Sequence, residues 1–239
     1  MRFILASALA TLAIPALGAR LSRNLSADEI RNAASIAAFG SAHRAWTAPD
    51  VPNEDLGLSL GVEASFVFKQ GITDAGDSSG YSPRIVPVPR LWAAWEFPWR
   101  VTVSSSISPG GLFDGIGAVG LAGQFIFFRA LDPSVSLSIL LHYTHSDTFG
   151  DMGTHTTGLA MQASKDLDFW QPYAGLGLLV ANATVNPGVA APGVIDGPYA
   201  IPRPHFYVGM RLDLDAKLGF QLDFAGRRPS LALIMFQQF

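Results

Sequence analysis

The chain has no cysteine. That excludes a disulfide framework, a thiolate zinc site, a cysteine nucleophile and a lipid-modified cysteine. Charge is scarce too: only 15% of the 239 residues are charged, and the net charge is -3. A nucleic-acid binder needs clustered excess Lys and Arg to neutralise phosphates, so that partner is excluded. Hydrophobic residues make up 49%, too many for a disordered chain. The 24 Gly and 16 Pro follow no fixed period, which excludes collagen. After the first twenty residues no apolar run is long enough, and free enough of breakers and charges, to cross a bilayer as a helix. Any membrane role must therefore come from strands or from a helix lying on the surface.

The amino-terminal residues read as an export signal. Arg2 precedes an apolar run from Phe3 to Ile14, Pro15 breaks it, and Leu17-Gly18-Ala19 has the small residues a signal peptidase accepts. Residues 1–19 are predicted to be a signal peptide. Residues 20–55 are predicted to be a short periplasmic helix and a linker. Ser26 followed by Glu29 has the spacing of a capping box. Ile30, Ala33, Ala34, Ala37 and Ala38 recur at helical spacing, Phe39 extends the stripe, and Gly40 is a stop. Pro49 and Pro52 mark the linker. The mostly alanine face is too weak to anchor in a membrane. It leaves two places open for the helix, outside the main domain or inside a barrel lumen.

From Leu56 the period switches to two. Leu58, Leu60, Val62, Ala64 and Phe66 share one face; Ser59, Gly61, Glu63 and Ser65 share the other. Phe206, Val208, Met210 and Leu212 alternate with His205, Tyr207, Gly209 and Arg211. Ten such segments run at 56–69, 87–97, 99–108, 114–129, 134–145, 154–165, 170–182, 203–215, 217–225 and 229–239. Several reach the roughly 9–11 residues that a tilted strand needs to cross a bilayer. Ten is even, as bacterial outer-membrane barrels require; one hairpin more or less makes twelve or eight. Tight connections alternate with longer ones, such as 70–86 and the proline-rich 183–202. Short turns face the periplasm and longer loops face outside in such barrels. The predicted fold class is an all-β transmembrane antiparallel barrel over residues 56–239.

Lipid offers no partner for strand-edge N–H and C=O groups, so a spanning sheet must close. Trp92, Trp95 and Trp99 cluster near one tight turn, Trp170 and Tyr173 near another, as pieces of a periplasmic aromatic girdle. The last residue is Phe239, on an alternating strand with Leu231, Leu233 and Met235, while Gln237 departs from the pattern. On these residues the chain resembles bacterial outer-membrane β-barrel proteins as a class. The resemblance implies that Phe239 is an assembly signal read by the barrel-assembly machinery, and that the partners are outer-membrane lipids. The rival is a soluble periplasmic barrel with its apolar face inward around an apolar ligand. The many Gly and Ser on the polar face favour the membrane.

Parity then names the lumen residues: Glu63, Lys69, Arg90, Glu96, Arg100, Gln124, Gln162, Arg211, Asp213, Lys217, Gln221 and Asp223. Both signs are present, so pairing is expected. A ten-strand barrel is narrow, which favours a structural role or narrow passive transport. His142-Tyr143-Thr144-His145-Ser146 looks like the His-x-Ser stretch of outer-membrane lipid A deacylases, with Thr144 in place of the nucleophile. No acid completes a triad at a matching position. His142, His145, Asp147, Asp151 and His155 match no compact metal pattern. No cofactor is implied.

Overall fold

Alternation of apolar and small polar residues produces ten strands in the computed structural model. It describes residues 21, 24–46, 57–68, 85–109, 116–129, 135–148, 150–226 and 228–239. The expected signal peptide, the linker prolines and Lys69 lie outside the described residues. A helix, α1 (Ala27–Gly40), precedes β1 (Gly57–Phe68), β2 (Ile85–Phe97), β3 (Val101–Ser108), β4 (Ile116–Arg129) and β5 (Val135–Thr148). β6 (Met152–Lys165), β7 (Trp170–Val185), β8 (Tyr199–Leu212), β9 (Lys217–Ala225) and β10 (Arg228–Gln238) follow. Each strand pairs antiparallel with its neighbours in sequence, and β1 pairs with β10 to close the barrel. Closure leaves no free sheet edge to satisfy.

One boundary moved for a physical reason. β8 starts at Tyr199, although the prolines up to Pro202 suggest a loop over 183–202. The β8–β9 ladder begins only at His205–Ala225, whereas the β7–β8 ladder continues to Tyr199. Pro202 and Pro204 fall where one edge of β8 has no ladder to donate to, and there a missing N–H is tolerated.

The apolar face points outward. Phe206, Met210 and Phe220 are exposed, Phe206 by 47%. Leu121, Ile139, Leu141, Leu159, Met161, Leu176 and Leu178 extend the same belt around the barrel. A register shift between Ile126 and Phe128 turns both Phe127 and Phe128 outward; such a bulge is how one extra side chain changes face. The interior side carries Ser104, Ser106, Gln124, Ser138, His142, Thr144, Gln162 and Gln221, all buried. The soluble alternative requires the reverse arrangement, so the direction of the side chains removes it.

Interior glycines make room for interior rings. A Cβ on Gly158 would lie 1.9 Å from His142 Nε2, and one on Gly175 would lie 2.1 Å from the Tyr207 ring. One on Gly209 would lie 2.4 Å from the Tyr173 ring. Large side chains thus cross a narrow lumen above residues that have none, as close packing demands. Gly177 is less forgiving, because its Cβ would meet the Leu159 carbonyl oxygen at 2.1 Å, and backbone cannot swing away. Around Gly123 an added Cβ meets nothing within 4 Å. Gly177→Ala is expected to destabilise the barrel by about 1–3 kcal/mol through overpacking. Gly123→Ala should stay within about 0.5 kcal/mol of the parent. Urea unfolding of the two variants in detergent, read by the loss of heat-modifiable gel mobility, checks the contrast.

Candidate functional site: the occupied lumen

The lumen is filled by the chain's own amino-terminal segment. Ser26 caps α1: its hydroxyl accepts from the Glu29 amide, and the Glu29 carboxylate accepts from the Ser26 amide at 2.8 Å. The Ser26 hydroxyl, which also donates to Glu29 Oε2 at 2.7 Å, and then the Ser26 amide hold the Glu29 carboxyl below its ordinary range. Residues Ala33 to Gly40 are buried without interruption. A helix buried all round sits in a core and not on a surface. Its neighbours are β5, β6, β7, β8 and β1. The helix is therefore inside the barrel, the second of the two places the sequence leaves open. Alanine is the reason it fits: Ala33, Ala34, Ala37 and Ala38 let the helix backbone approach the strands closely.

After α1 the chain continues through the lumen as an irregular segment, Ser41 to Trp46, all of it buried. The side chains of His43, Arg44 and Trp46 meet the wall. The His43 amide donates to Thr144 Oγ1 at 2.8 Å. The His43 ring shares hydrogen bonds with Ser106 Oγ at 2.7 Å and Ser104 Oγ at 2.8 Å. Space for that ring comes from Gly120, where a Cβ would lie 2.6 Å from His43 Cβ. Trp46 donates from Nε1 to Glu63 Oε2 at 2.9 Å and lies over Gly219.

Arg44 is the centre of the arrangement. It donates from Nε to Asp223 Oδ2 at 2.7 Å, and from Nη1 to Glu63 Oε1 at 3.2 Å and Ser65 Oγ at 2.7 Å. Nη2 donates to Ser230 Oγ at 2.9 Å. Arg90 reaches Glu63 Oε1 at 3.4 Å and the Ala42 carbonyl at 3.0 Å. Asp223 also accepts from Gln221 at 2.7 Å and meets His205 Nε2 at 3.1 Å. In this cluster the wall supplies two carboxylates, Glu63 and Asp223, and one arginine. The second arginine comes from the plug, and with it the buried charge balances. An unbalanced carboxylate buried here would be costly.

A second polar chain crosses the mouth beside the tight turns. Arg211 Nη2 donates to Asp213 Oδ2 at 3.0 Å, and Lys217 Nζ lies 3.5 Å from Asp213 Oδ1. Lys217 also donates to Gln238 Oε1 at 2.7 Å, and Gln238 Nε2 donates to Glu96 Oε2 at 3.2 Å. Gln124 sits between these layers, donating to Ser138. Of the expected lumen residues, Glu63, Arg90, Gln124, Gln162, Arg211, Gln221 and Asp223 are buried inside, while Glu96, Asp213 and Lys217 are half-buried at the mouth. Arg100 is an exception: it is exposed in the β2–β3 turn with a φ of 62°.

Two girdle assignments also need correction. Trp92 is buried at 2% exposure and packs on Phe236, ring centroids 5.4 Å apart. Tyr173 is buried and donates to Gln221 Oε1 at 3.0 Å. Period two explains both: Trp92 and Trp95 differ by three positions, as do Trp170 and Tyr173, so neither pair can share a face. Trp95 and Trp99 are exposed, Trp170 is half-buried at the start of β7, and Phe97, Phe125, Phe127, Phe128 and Phe169 lie near the same end. Phe239 is exposed, and its backbone exchanges hydrogen bonds with Leu58 at 2.8 and 3.3 Å, so the seam is zipped to the last residue.

The deacylase-like residues are divided between two faces. His142 and Thr144 point into the lumen, where the plug occupies the Thr144 hydroxyl. His145 points outward, its ring 4.6 Å from that of His155. Among the described residues the acids and histidines once considered for metal do not gather into a group of three.

No protein-family model matches this sequence, and no curated protein matches it. Solved barrels resemble it in architecture. Neisserial surface protein A is 12% identical, covering 77% of this chain and 95% of that one, with a TM-score of 0.34. The amino-terminal β-barrel domain of Pseudomonas aeruginosa OprF is 13% identical, covering 76% and 97%, with a TM-score of 0.35. Ail, the attachment invasion locus protein of Yersinia pestis, is 10% identical, covering 77% and 97%, with a TM-score of 0.30. These are bacterial outer-membrane β-barrels, the broad class that the sequence resembles, and at such scores they point to no family or activity.

The plug contacts yield a specific expectation. Arg44→Met removes the balancing cation and leaves two wall carboxylates to Arg90 alone, a loss of about 3–5 kcal/mol for a broken buried pair. Hydrogen exchange at residues 27–46 should accelerate strongly in this variant, while the β5–β6 and β6–β7 ladders keep their protection. Equal acceleration everywhere would mean that Arg44 supports the whole barrel rather than the plug.

Proposed function

We propose that the chain is a bacterial outer-membrane β-barrel whose resting state is closed by its own residues 24–46. Its role at rest is structural, and passage of a small solute requires the plug to move. The observation that carries this reading is the occupied lumen. α1 and the Ser41–Trp46 segment fill it, and among the described residues a cavity between helix and wall at Ser35, Phe39, His205 and Ser230 measures about 10 Å³. That is space for about one water molecule, not for a solute.

The membrane setting is supported by the outward apolar belt on a sheet without edges. Residues 1–19 serve as the export signal in this reading. The tight turns at residues 98–100 and 213–216 face the periplasm, and the 186–198 connection faces outside. Outer-membrane lipids contact Leu141, Leu159, Leu176 and Phe206. Phe239 is the terminus that the assembly machinery reads. Narrow transport is kept as a second reading because the wall behind the plug is polar: Ser104, Ser106, Gln124, Ser138 and Gln162 would line a wetted passage once it is vacated.

Planar-bilayer recording separates the two. The intact protein should hold the baseline without steps. A variant lacking residues 24–46 should show discrete openings if the lumen conducts, and should stay silent if the wall collapses into the vacated space. Steady conductance from the intact protein would overturn the closed resting state.

A further inference from the structure

The plug has a direction, and the direction has a consequence. Leu25 is fixed at the mouth formed by the long connections: its amide donates to the Val189 carbonyl at 2.8 Å, and its carbonyl accepts from the Ala191 amide at 2.9 Å. Val189 belongs to the connection between β7 and β8, and it is fully buried against the plug. One turn into α1 the Arg31 guanidinium lies over the Tyr199 ring, 5.6 Å from its centroid, at the start of β8. His43 is bonded midway down the wall, to Ser104, Ser106 and Thr144. Trp46 has reached the other end, over Gly219 near the start of β9. β1 then begins at Gly57, opposite Glu96 and beside the tight turn at residues 98–100.

Length agrees with a full crossing. The 14 residues of α1 rise about 21 Å at 1.5 Å each. The irregular segment adds up to about 20 Å when extended. The sum exceeds the roughly 30 Å hydrocarbon core of a bilayer. Both ends are held, by the Leu25 bridge at one mouth and by Trp46, bonded to Glu63 and seated over Gly219, toward the other. A hairpin entering and leaving by the tight-turn mouth is incompatible with this course.

We infer that the barrel carries its own amino-terminal segment through its lumen to the cell surface, where the first turn of α1, beginning just after Leu25, is displayed beside the β7–β8 connection. The inference rests on the orientation given under the proposed function. It adds that the wall is a conduit for part of its own chain, with the barrel closed around the threaded segment. It also makes the outer mouth a composite surface, formed by the first turn of α1 and the residues around Val189.

The absence of native cysteine makes the test direct. Three single-cysteine variants are labelled with a membrane-impermeant maleimide, on intact cells and after permeabilisation. Asp28→Cys lies in the first turn of α1, with a side chain 93% exposed. Ile195→Cys reports the β7–β8 connection, and Asp215→Cys reports the β8–β9 tight turn; both native residues are exposed. Heat-modifiable mobility confirms that each variant has folded. Asp28→Cys and Ile195→Cys should be labelled on intact cells to the extent reached after permeabilisation, and Asp215→Cys only after permeabilisation. If Ile195→Cys is labelled on intact cells and Asp28→Cys is not, surface display is overturned while the barrel and its orientation stand. If Ile195→Cys is also protected on intact cells, the orientation fails and surface display fails with it.

Discussion

Arg44 bonds to two carboxylates on neighbouring stretches of the wall, Glu63 on β1 and Asp223 on β9, with Ser65 and Ser230 completing its fork. Those strands flank β10, so a single guanidinium bridges the seam at which the sheet closes. The two carboxylates can stay buried because their charge is met at hydrogen-bond distance, and an arginine suits this because its planar fork offers five donors at fixed angles. Lumen charge, plug position and seam are coupled through this one side chain. Without it the wall would hold two acids against Arg90 alone, and the interior would have to take in water.

Filling a narrow barrel is a problem of volume as much as of charge. The wall answers it by setting large against none: Tyr207 over Gly175, Tyr173 over Gly209, His142 over Gly158. The plug answers it with alanine along the helix and with His43 and Trp46 seated over Gly120 and Gly219. Glycine on the inner face therefore has a packing meaning here. On the outer face nothing needs to be filled, because acyl chains adapt to the surface, and Leu, Ile and Phe stand out freely.

Much of this was legible in the residues. Alternation from Leu58 to Phe66 and from His205 to Leu212 named the faces correctly, because a strand permits only two directions. The capping box at Ser26 and the stop at Gly40 marked the helix, because caps are local chemistry. Where parity was set aside in favour of clustering, the reading failed: Trp92 and Tyr173 were grouped with neighbours three positions away and turned out to face the lumen. Arg100 failed differently, since a residue in a tight turn with positive φ has left the strand and its parity. Phe128 escaped because a bulge resets the count.

Local pattern pointed to about ten strands, two faces and a capped helix, since each follows from backbone geometry over a few residues, and closure followed from the lack of edge partners in lipid. It was silent on where the helix goes and on what Arg44 does. A signal was there: from Ile30 to Trp46 the chain carries only two charged residues, Arg31 and Arg44, and many small ones, the composition of a segment buried on every side. Yet placing it in the lumen depends on contacts between residues as much as 186 positions apart, such as Arg44 with Ser230. Such partners come together only once the barrel has closed, so the tertiary structure alone decided them.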